Sequence, residues 1–311
     1  MRVLITGAHG FVGRHLAGTL RDRGHEVILA DRRSAEDGLV LDVTDPLTVR
    51  GVFELTRPDA VAHLAGQAFV PASLEDPGAT FAVNAQGTLH VLDAARALAD
   101  EGRSPRVLVV SSAEVYGVQP RDAYPLRESA SPSPRNPYAA SKVAAEALTL
   151  GYVRSFGLDA VVTRAFNHIG AGQDERFAAT AFAVQLARVA AGGDRTVLVG
   201  NLDASRDFLD VRDVCAAYAA LLEGGGTAGE IYNVCSGRAT TMRELLRTLI
   251  TISAVPVEVR EDPERMRPAD VPVSLGDATK LHAATDWTPR IPLTAALRSV
   301  YDDARTRMVI S

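Results

Sequence analysis

The chain has 311 residues, 47% hydrophobic and 23% charged, which excludes a disordered or collagen-like protein and exceeds the usual size of one compact core. Its formal net charge of -5 excludes a general electrostatic pull toward nucleic acid or an anionic membrane, so any phosphate must be met by local cations or N–H donors. Two cysteines, Cys215 and Cys235, lack zinc-ligand spacing and read as buried thiols of a reducing compartment. The start, MRVLITGAHG, reaches glycine too early for a signal-peptide core and no apolar run spans a bilayer, so a cytoplasmic protein with no nucleic-acid or membrane partner is expected.

In chain order, β-branched apolar runs at Arg2–Thr6, Glu26–Ala30, Leu39–Leu41, Ala60–Leu64, Val107–Ser111 and Ala160–Thr163 predict strands. Amphipathic stretches at Phe11–Arg23, Leu47–Thr56, Thr80–Ala99 and Tyr138–Phe156 predict the helices between them. Strands too uniformly apolar to keep a wet face, alternating with helices, predict an α/β fold with a Rossmann-type doubly wound parallel sheet. The proline-dense stretch Pro120–Pro137 reads as an ordered loop. Beyond Arg164 the rhythm loosens into a glycine-containing loop, NHIGAGQ, a helix at Ala178–Ala191 and several short segments. The expected organisation is an NAD(P)-binding domain over residues 1–165 and a smaller C-terminal substrate-binding lobe over 166–311. Segments at Asp207–Val211 and Ile231–Val234 are candidates to return to the first sheet.

The run TGAHGFVG, from Thr6 to Gly13, follows a strand and opens a helix, the context a dinucleotide-binding turn requires. Gly7 permits the tight turn, Gly10 lets the backbone approach a pyrophosphate, and Gly13 allows close helix–sheet packing. Free N–H groups at the helix start, at Phe11 and Val12, then face the phosphates. Asp31, about 20 residues on, can accept hydrogen bonds from the adenosine ribose, which favours NAD. Arg32 and Arg33 follow at once and offer a guanidinium to the 2′-phosphate of NADP, so both cofactors stay open. Asp42 and Val43 end the third strand where adenine would lie, and Leu64, Ala65 and Gly66 end the fourth beside the cofactor.

The segment NPYAASK places Tyr138 and Lys142 four residues apart, on one face of a helix. A tyrosine with a free pKa of about 10 is a poor acid–base catalyst at neutral pH. A nearby ammonium stabilises its phenolate and brings it toward the working range; Lys142 can also hydrogen-bond a nicotinamide ribose. The loop SSAEVYG puts Ser111, Ser112 and Glu114 at the carboxyl edge of the sheet, where such folds bind ligands. There Ser112 can bond the oxygen that Tyr138 protonates, and Glu114 can act as a base or hold a sugar hydroxyl. His63 and His168 read as packing or hydrogen-bonding residues, and no metal site is expected.

Together TGAHGFVG, HLAGQAFVP, SSAEVYG, YAASK, RAFNHIG, SRDFLDVRDV, YNVCSG and RMRPADVP resemble the nucleotide-sugar branch of the extended short-chain dehydrogenases/reductases, over nearly the whole chain. The likeness is greatest to reductases of GDP-linked 4-keto-6-deoxy-mannose, and rests on FNHIG, SRDFLDV, NVCSG and RMRPADVP, since the glycine turn and YxxxK are common to the superfamily. The resemblance implies a catalytic triad of Ser112, Tyr138 and Lys142. It implies that Asn167 touches the substrate phosphates and that Arg206, Arg265 and Arg267 bind the diphosphate or nucleoside ribose. A nucleotide-sugar substrate and a homodimer formed by the helices at Thr80–Ala99 and Tyr138–Phe156 are further expectations. The rival reading is a 4,6-dehydratase or 4-epimerase with the same parts: Glu114 supports a base for elimination, whereas Ala113 lacks a group to help the leaving water. A non-enzymatic dinucleotide sensor would have no need of the Tyr138/Lys142 pair.

Overall fold

The computed structural model describes residues 1–33, 38–266 and 271–310. Seven strands form the main sheet: β1 (Arg2–Thr6), β2 (Glu26–Asp31), β3 (Leu39–Val40), β4 (Ala60–His63), β5 (Arg106–Ser112), β6 (Ala160–Ala165) and β10 (Ile231–Val234). Their order is β10-β6-β5-β4-β1-β2-β3 and every pairing is parallel. The order reverses between β1 and β4, which opens a crevice at the carboxyl ends of those strands.

The helices are α1 (Phe11–Asp22), α2 (Pro46–Thr56), α3 (Val70–Glu75), α4 (Pro77–Phe81), α5 (Gly87–Asp100), α6 (Pro137–Phe156), α7 (Ala178–Ala190), α8 (Val211–Leu222), α9 (Met242–Ser253), α10 (Thr279–Thr285) and α11 (Leu293–Ile310). Strand residues alternate between two cores. Val3, Ile5, Ala62, Leu108 and Val161 pack with Leu16 and Leu20 of α1 and Val214 and Tyr218 of α8. Leu4, Val61, Val107, Val109 and Val162 pack with Phe53 of α2 and Leu92 and Leu98 of α5. Both faces are covered, so the strands read as largely apolar runs, with buried polar residues such as Thr6, His63, Ser111 and Arg164 near their carboxyl ends.

Three expectations are corrected. The stretch Thr80–Ala99 is not one helix: α4 ends at Phe81, residues Ala82–Gln86 form a π-helical turn, and α5 starts at Gly87. The i→i+5 turn adds a residue and places Asn84 inward, where it is 1% exposed. Next, NHIGAGQ begins as a strand, β7 (Asn167–Ile169), because its backbone finds a parallel ladder partner in β9 (Ser205–Asp210). Finally, of the two later segments only Ile231–Val234 joins the main sheet. β9 pairs instead with β7, β11 (Ala239–Thr241) and β13 (Val273–Ser274). A further pair, β8 (Thr196–Val199) with β12 (Glu258–Glu261), sits by α7, α9 and α11 over a core that includes Phe182, Leu186, Leu245, Leu249 and Leu297.

Asp207, fully buried on β9, ties the two sheets. It accepts hydrogen bonds from Ser236 N at 2.7 Å, Ser236 Oγ at 2.6 Å and Gly237 N at 2.9 Å, in the turn that follows β10. The runs SRDFLDV and YNVCSG therefore meet at one carboxylate. Among the described residues no helix is long and apolar enough to cross a membrane.

Candidate active site

β1 delivers the chain into the glycine turn. Gly7 has φ 71°, and a Cβ there would stand 2.7 Å from the Ala65 backbone nitrogen. A Cβ on Gly13 would stand 2.5 Å from the Gly7 carbonyl oxygen, so the first turn of α1 lies directly on the glycine turn. Gly10 is the extended N-cap of α1 and no side chain caps it. The helix start at Phe11 and Val12 thus keeps the donors and positive dipole end that suit a diphosphate. The uncapped helix start fits NAD(P), and side chains at Gly7 or Gly13 would run into the Ala65 or Gly7 backbone and force the turn out of shape.

At the neighbouring rim Asp31 accepts a hydrogen bond from His9 N at 3.0 Å, which fixes its carboxylate beside the turn. Arg32 and Arg33 are exposed. Asp42 accepts from the Thr44 hydroxyl at 2.7 Å and Thr44 N at 2.9 Å; these bonds, helped by the charge of Arg32, hold its carboxyl below the usual range. Val43 is turned into the core: its side chain would touch a Cβ on Gly87 at 2.7 Å, and its carbonyl accepts from His90 Nδ1 at 2.8 Å. Leu64 N and Ala65 N donate to the Thr6 carbonyl and hydroxyl at 3.2 and 3.3 Å, which draws the end of β4 against the glycine turn.

The catalytic candidates converge at the ends of β4 and β5. Asn136 caps α6 by accepting from Ala139 N at 2.8 Å, with Pro137 in the first turn, and this sets the start of the helix that carries Tyr138 and Lys142. Lys142 is 9% exposed and donates to the Val110 carbonyl at 2.8 Å. A Cβ on Gly66 would lie 3.4 Å from Lys142 Nζ and 3.0 Å from Asn84 Oδ1, so Gly66, Lys142 and Asn84 share one small space. Burial lowers the Lys142 ammonium to about 8, with Glu146 opposing. Tyr138 is 7% exposed, and burial pushes its phenol up to about 12, against hydrogen bonding with Ser112 and with the Glu114 charge adding to the rise. The expected lowering by the Lys142 ammonium is not borne out, because burial outweighs it; such a phenol keeps its proton at neutral pH, the form that can protonate a developing alkoxide. Glu114, half-buried, accepts from Asn136 Nδ2 at 3.5 Å, so it is tethered to the cap of the Tyr138 helix.

Sequence reasoning missed Asn84, Asn136, Glu146 and Arg164. Asn84 accepts from Gln67 N at 2.8 Å and donates to Ser141 Oγ at 2.9 Å, which links the loop after β4 to α6. Its one signal was a polar residue within an apolar helical stretch. Ser111 does not face the cleft as a ligand group: its hydroxyl donates to buried Glu146 at 2.5 Å. His63 accepts or donates to Thr6 Oγ1 at 2.8 Å and Thr88 Oγ1 at 3.2 Å, and burial, then the Lys142 charge, lowers it to about 3. His168 bonds the Phe166 carbonyl at 2.9 Å and stacks on Phe11. Among the described residues no group of three or more His, Cys, Asp or Glu is placed to hold a metal.

Of the substrate candidates, Asn167 is exposed, two residues beyond Ala165, the ladder partner of Ser112. Arg206 donates to the carbonyls of Ser205 at 2.9 Å and Val271 at 2.6 Å. Arg265 pairs with Asp262 at 3.2 Å in a short 3₁₀ turn. Arg267 lies outside the described residues.

Residues 4–300 match the family described as GDP-mannose 4,6 dehydratase. The GDP-6-deoxy-D-mannose reductase of Pseudomonas aeruginosa is 42% identical, the match spanning 99% of this chain and 98% of that protein. The solved structure of RMD from Pseudomonas aeruginosa complexed with NADPH has a TM-score of 0.88 at 40% identity, over 98% of this chain and 99% of that one. The GDP-mannose 4,6-dehydratase of Yersinia enterocolitica is 29% identical over 93% of this chain and 90% of that protein. With this coverage, a glycine turn at the switch point of a doubly wound sheet and a Tyr138/Lys142 helix beside it, the chain belongs to the GDP-mannose 4,6 dehydratase family of extended short-chain dehydrogenases/reductases.

Proposed function

We propose that the protein is an NAD(P)H-dependent reductase of the 4-keto group of a nucleotide-linked 6-deoxy sugar, converting GDP-4-keto-6-deoxy-D-mannose to GDP-D-rhamnose. The observation that carries this reading is a buried, proton-retaining Tyr138 beside Ser112, in a chain more similar to the Pseudomonas reductase than to the Yersinia dehydratase. When bound, the reduced nicotinamide supplies hydride to carbon 4 of the sugar. Gly7, Gly10, Phe11, Val12 and Gly13 hold the cofactor diphosphate, Asp31, Arg32 and Asp42 face its adenosine end, and Leu64, Ala65 and Gly66 line its path toward Lys142. Ser112 bonds the keto oxygen, Tyr138 delivers a proton to it, and the Lys142 ammonium supports the phenolate left behind.

Residues 1–165, completed by β10, serve the cofactor, and 166–311 serve the nucleotide sugar through Asn167, Arg206, Arg265 and Arg267. A homodimer through α5 and α6 is supported by an outward stripe of small residues on α6, Ala140, Ala144, Ala147 and Gly151. Two free buried cysteines suit a reducing, cytoplasmic setting. The half-buried Glu114 favours a second reading, a 4,6-dehydratase or 4-epimerase, in which it removes the carbon-5 proton or holds a hydroxyl. A panel pairing NADH or NADPH with GDP-, dTDP- and UDP-linked 4-keto sugars separates the two. Stoichiometric cofactor consumption is expected, and product without net consumption would replace the reductase. In the same assay Tyr138→Phe is expected to lower kcat by about 10²–10⁴-fold with cofactor binding kept; near-normal turnover would remove Tyr138 as the acid.

A further inference from the structure

Three consecutive residues at the end of β5 lie against α6, and two of them are hydrogen-bonded to it. The Val110 carbonyl accepts from Lys142 at 2.8 Å and Ser111 Oγ donates to Glu146 Oε1 at 2.5 Å, while Ser112, whose Oγ accepts from Glu114 N at 3.2 Å, acts on the Tyr138 phenol. Residues 138, 142 and 146 are four apart and project from one helix face. Two of them carry the proposed chemistry. Glu146 has no part in it, yet is 3% exposed.

Its charge is met by Arg164, 2% exposed, through Nε to Oε1 at 3.0 Å and Nη2 to Oε2 at 2.8 Å. Arg164 stands opposite Ser111 in the β5–β6 ladder. From there it donates to the Glu128 carbonyl at 3.3 Å and lies over the Tyr116 ring at 4.6 Å. Tyr116 ends the short turn that begins just after Ser112, and its hydroxyl donates to Asn233 of β10 at 2.7 Å. A buried ion pair is a poor choice for stability alone, since apolar residues of similar volume commonly serve as well or better. What a bidentate pair adds is fixed geometry.

We propose that Glu146 and Arg164 are a positioning pair: they fix the end of β5 against α6, and so hold Ser112 at its working distance from Tyr138 and Lys142. This rests on the reading of Ser112, Tyr138 and Lys142 as the catalytic group. Glu146 also acts on the charge of Lys142. The groups that act on that ammonium or feel it are Glu146 on its own helix and His63 on β4, which burial keeps neutral; Asn84, Gly66 and the Val110 carbonyl around it are uncharged.

The test is Glu146→Gln, which keeps the shape and an acceptor for Ser111 while removing the charge, beside Glu146→Leu/Arg164→Met, which removes both charges. Each is assayed with NADPH and GDP-4-keto-6-deoxy-mannose after circular dichroism and NADPH titration establish its fold. Expected for the folded variants is a kcat lower by about 10- to 100-fold with KM and the NADPH Kd near wild type, since small displacements of reacting groups cost that much. For Glu146→Gln the basic limb of kcat/KM also moves to lower pH. Folded variants with wild-type kcat and limb, a change confined to KM, or loss of fold in both variants would each overturn the proposal. Tyr138→Phe in parallel separates the two readings: if it too turns over normally, the catalytic assignment has failed rather than the positioning pair.

Discussion

Lys142 holds its proton less firmly than an exposed lysine, because burial disfavours the ammonium more than Glu146 restores it. Below about 8 the side chain is charged and, in the proposed reaction, supports the Tyr138 phenolate; above it the charge is lost. The kcat/KM for keto-sugar reduction is therefore expected to fall as pH rises through that value. Lys142→Arg, whose guanidinium stays charged, is expected to be slower but to lose this limb. A wild-type profile that stays flat there would show that the Lys142 charge does not govern the rate. At this scale the Tyr138/Lys142 pair was legible because four-residue spacing on a helix is a local geometric fact. Glu146 has the same spacing, but a glutamate there reads as a surface partner for lysine. It is buried where α6 packs on the sheet, and its charge is met there by Arg164 of β6, a partner far along the chain.

Among elements, α1 shows how closely a helix can be pressed on a turn. Gly13→Ala would put a methyl 2.5 Å from the Gly7 oxygen, a backbone atom that can move only by opening the cradle. We expect a loss of about 1–3 kcal/mol in stability, as for other overpacked sites, together with weaker NADPH binding. Gly18, five residues further along α1, has nothing within 4 Å of the place a methyl would take, so Gly18→Ala is expected to stabilise by about 0.5–1 kcal/mol and leave binding unchanged. Thermal unfolding and fluorescence titration of both variants check this contrast, and equal behaviour would refute it. The first six strands and α1 were readable from period and apolar runs. The break of the Thr80–Ala99 stretch was not, because a π turn preserves the helical look of the sequence while shifting which residue faces inward.

For the whole molecule, the proposed homodimer would pack through the outward stripe of small residues on α6. Ala147 is exposed, and Ala147→Arg places a long cation on that stripe without touching either core. We expect sedimentation equilibrium to show a dimer for the wild type and a monomer for the variant, with thermal stability little changed by an exposed substitution in itself. Equal masses for the two would place any dimer contact elsewhere.

Local sequence was enough for the doubly wound class, the glycine cradle and the Tyr138/Lys142 face, because each depends on residues within about one helical turn or one strand–turn–helix unit. Tertiary structure was needed to show that Ile231–Val234 closes the main sheet while Ser205–Asp210 leaves it, and that Asp207 joins the two. It was needed as well to bring Asn84 and the Glu146–Arg164 pair beside the helix that carries Tyr138 and Lys142. These features depend on strand order and ladder register, which bring together residues far apart in the chain, and no local period records which distant partner a buried polar group will meet.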